Sequence, residues 1–352
     1  MTKTPAVKIG GCEEGSGHPC FIIAEAGVNH NGDLGVAKEL IDAAAECGAD
    51  AVKFQTFNAD RVVSRAAPKA RYQLETTSVR ESQWEMLRRL ELSPAAHDAL
   101  RAHCEGRHIL FLSTPFDGAS VDLLDRLGVP AFKVGSGEIT NHPFLDYVAR
   151  KGRPVILSTG MSFVSEVDEA VRVLFGAGNE QVVLLHCVSN YPADPADANL
   201  RAMLTMREAF RVPVGFSDHT LGADIAIAAV ALGACVLEKH LTLDRNLEGP
   251  DHRASMEVDE FASMVKSVRI VERALGHGRK EPVASELEIA RVARRSLVAA
   301  SDLRAGTRLT SEMVDLRRPG TGLPPAMLPY VVGRTLRVDV RAGDLLRLEL
   351  FA

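Results

Sequence analysis

Eight short apolar runs, each followed by a stretch of helical character, set the rhythm of the chain. They are FIIAEAG from Phe21, AVKFQTF from Ala51, ILFLSTPF from Ile109, AFKVGSG from Ala131, VILSTG from Val155, VVLLHCVS from Val182, VGFSDH from Val214 and CVLEKHLT from Cys235. Each opens on nearly continuous β-branched or aromatic residues, the pattern of parallel strands covered on both faces. The segments between them carry helical punctuation. Asp33 to Gly48 begins on an acidic cap and stops on glycine, and Val258 to Gly276 places Phe261, Met264, Val265, Val268 and Leu275 on one stripe. Eight strand–helix units with right-handed crossovers predict a closed α/β fold, the (β/α)8 TIM barrel. A doubly wound open sheet is the competitor, but no G-x-G-x-x-G follows the first strand.

The rhythm breaks twice. The connection from Asn58 to Ser93 is long and polar, which predicts a loop over the barrel mouth with a short helix. After Gly276 the segment HGRKEPVASELEIARVARR is charged and without apolar period. Beyond it, short strands alternate with the turn pairs Ala305-Gly306, Pro319-Gly320 and Ala342-Gly343, the signature of a small β-rich domain that gains stability by docking. The expected division is a barrel over 1–278, a linker over 279–290 and a β-rich domain over 291–352.

Composition narrows the function. Of 352 residues, 46% are hydrophobic and 25% charged, the balance of a globular protein with a sizeable core. Lys+Arg 41 against Asp+Glu 46 leaves a net charge of −5, so no diffuse basic field attracts nucleic acid or anionic lipid. No apolar run approaches the roughly 18 residues that span a bilayer, and no apolar leader opens the chain. The six cysteines are scattered without a C-x-x-C pair, as in a reducing compartment. The expected location is the cytoplasm, with neither nucleic acid nor membrane as partner.

In such a barrel, polar residues at strand C-termini face the mouth, where chemistry is done. Here those ends carry Glu25 and Asn29; Lys53 and Gln55; Ser113 and Thr114; Lys133, Ser136 and Glu138; Ser158 and Thr159; His186, Ser189 and Tyr191; Ser217, Asp218 and His219; and Glu238, Lys239 and His240. Lys53 and Lys133 read either as partners of a neighbouring glutamate or as a cation pair for phosphate or carboxylate, helped by Thr114, Ser136 and Ser158. A Schiff-base lysine is a third reading. His219 and His240 end adjacent strands and can converge on a divalent ion whose open positions take water and substrate oxygens. Mn2+ or Mg2+ suits such a site better than a closed structural zinc. Glu25 and Glu138 are candidates for a proton donor and acceptor, or for charge balance of the lysines. Tyr191 and Asp251 read as sugar-hydroxyl contacts or as loop packing. Together these groups suit carbon–carbon bond formation between an enol phosphate and an aldehyde.

The segments AEAGVNHNG, AVKFQTF, ESQWEMLRRLELS, LSTPF, FKVGSGE, LSTGM, LLHCVSNYP, VGFSDHTLG, ALGACVLEKHLTLD and GPDHRASM occur in an order and spacing that resembles the sialic acid synthase family along nearly the whole chain. The tail with LRRPGTGLPP resembles that family's type III antifreeze-like (SAF) domain. The resemblance implies condensation of phosphoenolpyruvate with N-acetylmannosamine to N-acetylneuraminate with release of phosphate; close relatives make legionaminate or pseudaminate. It implies that Lys53, Thr114, Lys133, Ser136, Ser158, Ser189 and Ser217 hold phosphoenolpyruvate. It assigns His219 and His240 to a divalent metal, Mn2+ first with Mg2+ or Co2+ as alternatives. Gln55, Tyr191 and Asp251 would face the sugar, and Glu25 and Glu138 would orient it and manage the attacking water. A domain-swapped homodimer, with Arg318 reaching the partner's sugar, is implied as well. One departure concerns Ser189, where some relatives have Asn, and Asn190 is the alternative contact. Outside this family, the competing readings are a Schiff-base aldolase using Lys53 or Lys133, and a non-catalytic carbohydrate- or ice-binding protein using the tail.

Overall fold

In the computed structural model, which describes residues 6–352 other than Ser16, Val79 and the Arg71 side chain, the chain divides into two compact units, Met1–Gly276 and His277–Ala352. The first unit is built on eight parallel strands: β1 (Phe21–Gly27), β2 (Ala51–Thr56), β3 (Leu110–Pro115), β4 (Phe132–Val134), β5 (Val155–Ser158), β6 (Val182–Cys187), β7 (Val214–Asp218) and β8 (Val236–Thr242). The ladder runs β3-β2-β1-β8-β7-β6-β5-β4, and its two ends, β3 and β4, pack side by side. The ring is therefore nearly closed, as the eight-unit pattern predicts, and the open-sheet alternative is excluded. A short strand, Met256–Glu257, continues the edge of β8.

The two faces of each strand do different work, because successive side chains point to opposite sides. Outward residues such as Ile22, Ala24, Val52, Leu157 and Leu184 pack against the helices. Inward residues Phe21, Ile23, Ala51, Leu112, Ala131, Ile156, Val183, Leu185 and Val236 fill the barrel floor, plugged from below by Val7 and Ile9 of an N-terminal hairpin. Gly215 belongs to this floor. A Cβ there would lie 2.2 Å from the Val236 carbonyl oxygen.

Cap chemistry explains the helices. Asp33 accepts hydrogen bonds from the Gly35 and Val36 amides and starts helix Leu34–Glu46, and Gly48 beyond it takes φ +80. Helix Val258–Leu275 buries Phe261, Met264, Val265 and Val268, whereas Leu275, on the predicted stripe, is exposed in the last turn. The connection after β2 holds three short helices rather than one: Ala59–Val62, Arg71–Thr76 and Gln83–Leu90. The last has a Ser82–Glu85 capping box and buries Met86 and Leu90 with Val28 and Phe57. Lys69 anchors the segment, donating to Thr77 Oγ1 (2.8 Å), the Ser78 carbonyl (2.9 Å) and Glu81 (3.0 Å).

In the second unit, antiparallel strands Ser296–Ala299 and Val314–Arg317 support a core of Leu297, Leu303, Leu309, Val331, Leu336, Val340, Leu346 and Phe351. Turns at Gly306 and Gly343 take φ +85 and +87, where glycine costs least. The stretch expected as linker carries helix Ala284–Ala293, none of whose residues is buried. Its Ala, Glu, Leu and Arg content favours helix without an apolar period. Among the described residues no helix is long and apolar enough to cross a membrane, and the six cysteines are free.

Candidate active site

At the C-terminal end of the barrel the inward positions turn from apolar to polar, and a cavity of about 420 Å³ opens above the floor. Its lining includes Glu25, Lys53, Gln55, Thr114, Lys133, Ser136, Ser158, Ser189, Tyr191, Ser217, His219, Glu238, His240 and Asp251. Strand parity places most of them, since each lies two or four residues beyond a floor residue on its own strand.

Two lysines and two carboxylates form the base of the cavity. Lys53 Nζ lies 2.6 Å from Glu25 Oε2, 3.7 Å from Glu238 Oε2 and donates to Thr114 Oγ1 at 2.9 Å. Lys133 Nζ donates to Ser158 Oγ at 2.7 Å and sits 3.5 Å from Glu238 Oε1. Ser217 Oγ donates to the same Glu238 carboxylate at 2.9 Å. All four charged groups are buried, and their environments separate them. Burial raises the Glu25 pKa against the pull of Lys53. Burial also opposes ionisation of Glu238, but Lys133 and Lys53 outweigh it and hold that carboxyl below its ordinary range. Burial lowers the Lys133 pKa, while for Lys53 the Glu238 and Glu25 carboxylates overcome burial and raise it. One carboxylic acid inclined to keep a proton, one firm carboxylate and two ammonium groups can bind a multiply charged anion and move a proton beside it.

Beside this base a β-bulge between Glu25 and Gly27 re-aims the end of β1. Gly27 sits at φ +53, where a Cβ would approach Glu25 Oε1 at 3.2 Å and Asp251 Oδ2 at 3.6 Å. Burial raises the Asp251 carboxyl to about 6, against the pull of Lys53.

His219 directly follows β7 and His240 lies on the inward face of β8, two residues before its end, with ring centroids 5.5 Å apart. His219 Nδ1 lies 2.6 Å from the Val188 carbonyl. A carbonyl only accepts, so Nδ1 carries the proton and Nε2 of the neutral ring keeps its lone pair. His240 Nδ1 is buried without a hydrogen-bond partner. Burial lowers both histidine pKa values and favours the neutral, ligating form. This pair fits a divalent cation with open positions. Among the described residues no group of three or more His, Cys, Asp or Glu gathers for an ion, so the pair would supply the protein ligands alone. The Tyr191 ring packs tilted against His219 with centroids 4.2 Å apart and meets His240 edge-on at 5.6 Å, and Tyr72 from the mouth segment packs tilted against Tyr191 at 5.1 Å.

The predicted residues gather with two exceptions. Glu138 does not line the cavity. The turn Ser136–Glu138 leads its carboxylate to Asn141 Nδ2, which donates to it at 2.6 Å. Arg318 belongs to the second unit. The glutamate facing the lysines opposite Glu25 is Glu238. Its shared inward parity with His240 is the signal that identifies it. The structure shows the glutamate-partner reading of the lysines, and that pairing leaves the anion-site reading open, because the ammonium groups that meet Glu25 and Glu238 also line the cavity.

The chain matches the NeuB family model over residues 40–280 and the SAF domain model over residues 294–352. It is 48% identical over 347 residues to the N,N'-diacetyllegionaminic acid synthase of Legionella pneumophila, covering 97% of this chain and 98% of that protein. It is 40% identical to the N-acetylneuraminate-9-phosphate synthase of Homo sapiens, covering 96% and 94% respectively. Among solved structures, N-acetylneuraminic acid (sialic acid) synthetase from Leptospira borgpetersenii, in complex with citrate, superposes with a TM-score of 0.73 at 36% identity, covering 82% of this chain and 95% of that one.

Proposed function

The chain belongs to the NeuB family of sialic acid synthases and is a phosphoenolpyruvate-dependent nonulosonate synthase; on that premise we propose that its sugar substrate is a 2,4-diacetamido-trideoxyhexose, giving a legionaminate-type product. In this reading the C3 carbon of phosphoenolpyruvate bonds to the sugar aldehyde carbon, water adds at C2, and phosphate leaves with C–O cleavage. N-acetylmannosamine, giving N-acetylneuraminate, is the second reading. The 48% identity to a legionaminic acid synthase supports the first. The lining supports it too, for Val28, Met86, Leu87, Leu90 and Phe116 form an apolar wall that suits a methyl-terminated sugar.

The observation that carries the condensation chemistry, common to both sugar readings, is the lysine–carboxylate base beside the histidine pair. Lys53 and Lys133, with Thr114, Ser136, Ser158, Ser189 and Ser217, would hold the phosphate and carboxylate of phosphoenolpyruvate. Glu25 would exchange a proton with the attacking water while Glu238 keeps both ammonium groups charged and in place. Gln55, Tyr191 and Asp251 would orient the sugar. A divalent ion bound by His219 and His240, Mn2+ first and Mg2+ or Co2+ next, would polarise the sugar aldehyde. Arg318 would complete the sugar site across a domain-swapped homodimer.

A panel of N-acetylmannosamine, its 6-phosphate and a 2,4-diacetamido-trideoxymannose, each with phosphoenolpyruvate, tests the reading by phosphate release. The diacetamido sugar is expected to give the highest kcat/KM, and a higher value for N-acetylmannosamine would reverse the assignment. Chelation is expected to stop turnover and Mn2+ to restore it; phosphate release indifferent to chelator would remove the metal.

A further inference from the structure

Between the strands and the helices, outside the cavity, lies a buried ion pair that the proposed reaction does not use. Lys239 lies between Glu238 and His240 on β8, and Asp218 between Ser217 and His219 on β7. Their neighbours line the cavity, so alternation turns Lys239 and Asp218 to the opposite face. Each is about 1% exposed. Lys239 Nζ reaches Asp218 Oδ2 at 2.7 Å and the Thr220 carbonyl at 2.5 Å. The other carboxylate oxygen, Asp218 Oδ1, accepts from the Thr220 amide at 2.9 Å and from its hydroxyl at 2.8 Å.

A buried ion pair is poor evidence for stability, because desolvation offsets most of the attraction and an apolar pair of similar volume is often as good. What this pair does hold is geometry. Residues 218–220 form the turn that carries His219, and the network grips it on both sides of the imidazole-bearing residue. The opposite side is fixed as well: the His219 ring bonds the Val188 carbonyl, and the His219 carbonyl accepts from the Ala193 amide at 2.9 Å. Lys239 also adjoins His240, so one buried ammonium ties together the ends of both strands that bear the histidines.

We propose that the Lys239–Asp218–Thr220 network is the positioning device that fixes the His219 imidazole relative to His240, and thereby sets how tightly the pair holds a divalent cation. The inference rests on the metal reading above. Lys239 and Asp218 are positioning residues, since neither side chain faces the cavity. Outer partners of this kind commonly change metal affinity by roughly 10- to 100-fold.

Two variants test it. Lys239→Met leaves Asp218 buried and unpaired and can fail to fold, so the double variant Lys239→Met/Asp218→Asn, which removes both charges at nearly constant shape, accompanies it. Mn2+ binding to the full-length protein is measured by titration calorimetry, with His240→Gln marking the site. The expected result is wild-type binding that His240→Gln abolishes and that the double variant weakens about 10- to 100-fold, with activity recovered at high Mn2+. A folded double variant that binds Mn2+ as wild type does overturns the proposal. A second readout needs no metal. In 15N-histidine-labelled protein, the His219 Nδ1–H signal, identified by its loss in His219→Gln, is expected to exchange faster with solvent in the double variant. Unchanged exchange likewise overturns the positioning role. If wild type binds no Mn2+, the metal reading fails, and the ring-proton measurement still decides whether this network positions His219.

Discussion

Gly160→Ala probes the proposed anion site through one methyl group. Gly160 follows β5 and has no positive φ, so the backbone itself accepts alanine. Space does not. A Cβ there would lie 2.3 Å from Ser189 Oγ, 2.9 Å from Cys187 Sγ and 2.9 Å from Ser136 Oγ. The first contact falls roughly 1 Å short of ordinary van der Waals distance. Two of the three groups are already engaged: Ser136 Oγ accepts from the Gly160 amide at 2.9 Å and sits 3.2 Å from Cys187 Sγ. The methyl group must therefore displace at least one hydroxyl that lines the cavity. Losing one hydrogen bond to a charged ligand costs about 1.5–3 kcal/mol, so the KM for phosphoenolpyruvate should rise roughly 10- to 150-fold. Overpacking should also lower stability by about 1–3 kcal/mol. The assay is phosphate release against phosphoenolpyruvate concentration at saturating sugar, with a thermal melt alongside. A folded variant whose KM stays at the wild-type value would refute the assignment of Ser136 and Ser189 to the anion.

Glu14 is buried below the barrel, where burial and then Asp50 raise its carboxyl to about 8 against the pull of Arg269. Its folded pKa lies above the unfolded 4.5, so the folded protein keeps a proton that the unfolded chain releases. Stability from this group is full below about pH 4.5 and is lost as pH rises towards 8. The melting temperature of wild type should fall between pH 5 and 8.5 by several degrees more than that of Glu14→Gln, and parallel curves would count against it. For Tyr191, the Phe variant should keep the tilted ring contact with His219 and a near-normal KM for the sugar. Tyr191→Ala should raise that KM about 10-fold, by loss of an aromatic pair, and equal effects in both would point to the hydroxyl instead. Co-expressed Lys53→Met and Arg318→Ala chains, each inactive alone, should regain about a quarter of wild-type turnover if sites form across a dimer; mixed protein without turnover would argue for sites complete within one chain.

Much of this protein was legible along the chain. Eight apolar runs with capped helices between them dictate a parallel barrel, because strands covered on both faces and crossovers of one hand leave little other choice. The two lysines and two histidines could be read from position alone, since strand ends face the mouth. What tertiary structure decided was partnership. Glu138 and Glu238 both stand at strand ends, yet a 3-10 turn leads the first to Asn141 while the parity of β8 sends the second between Lys53 and Lys133. Lys239 looked like one more strand-end charge, and only the packed layers show it buried against Asp218 behind the site. Periodicity is a local property and survives in one dimension. Which charges meet depends on groups brought together from distant parts of the chain, and on burial, which decides which of them stay ionised.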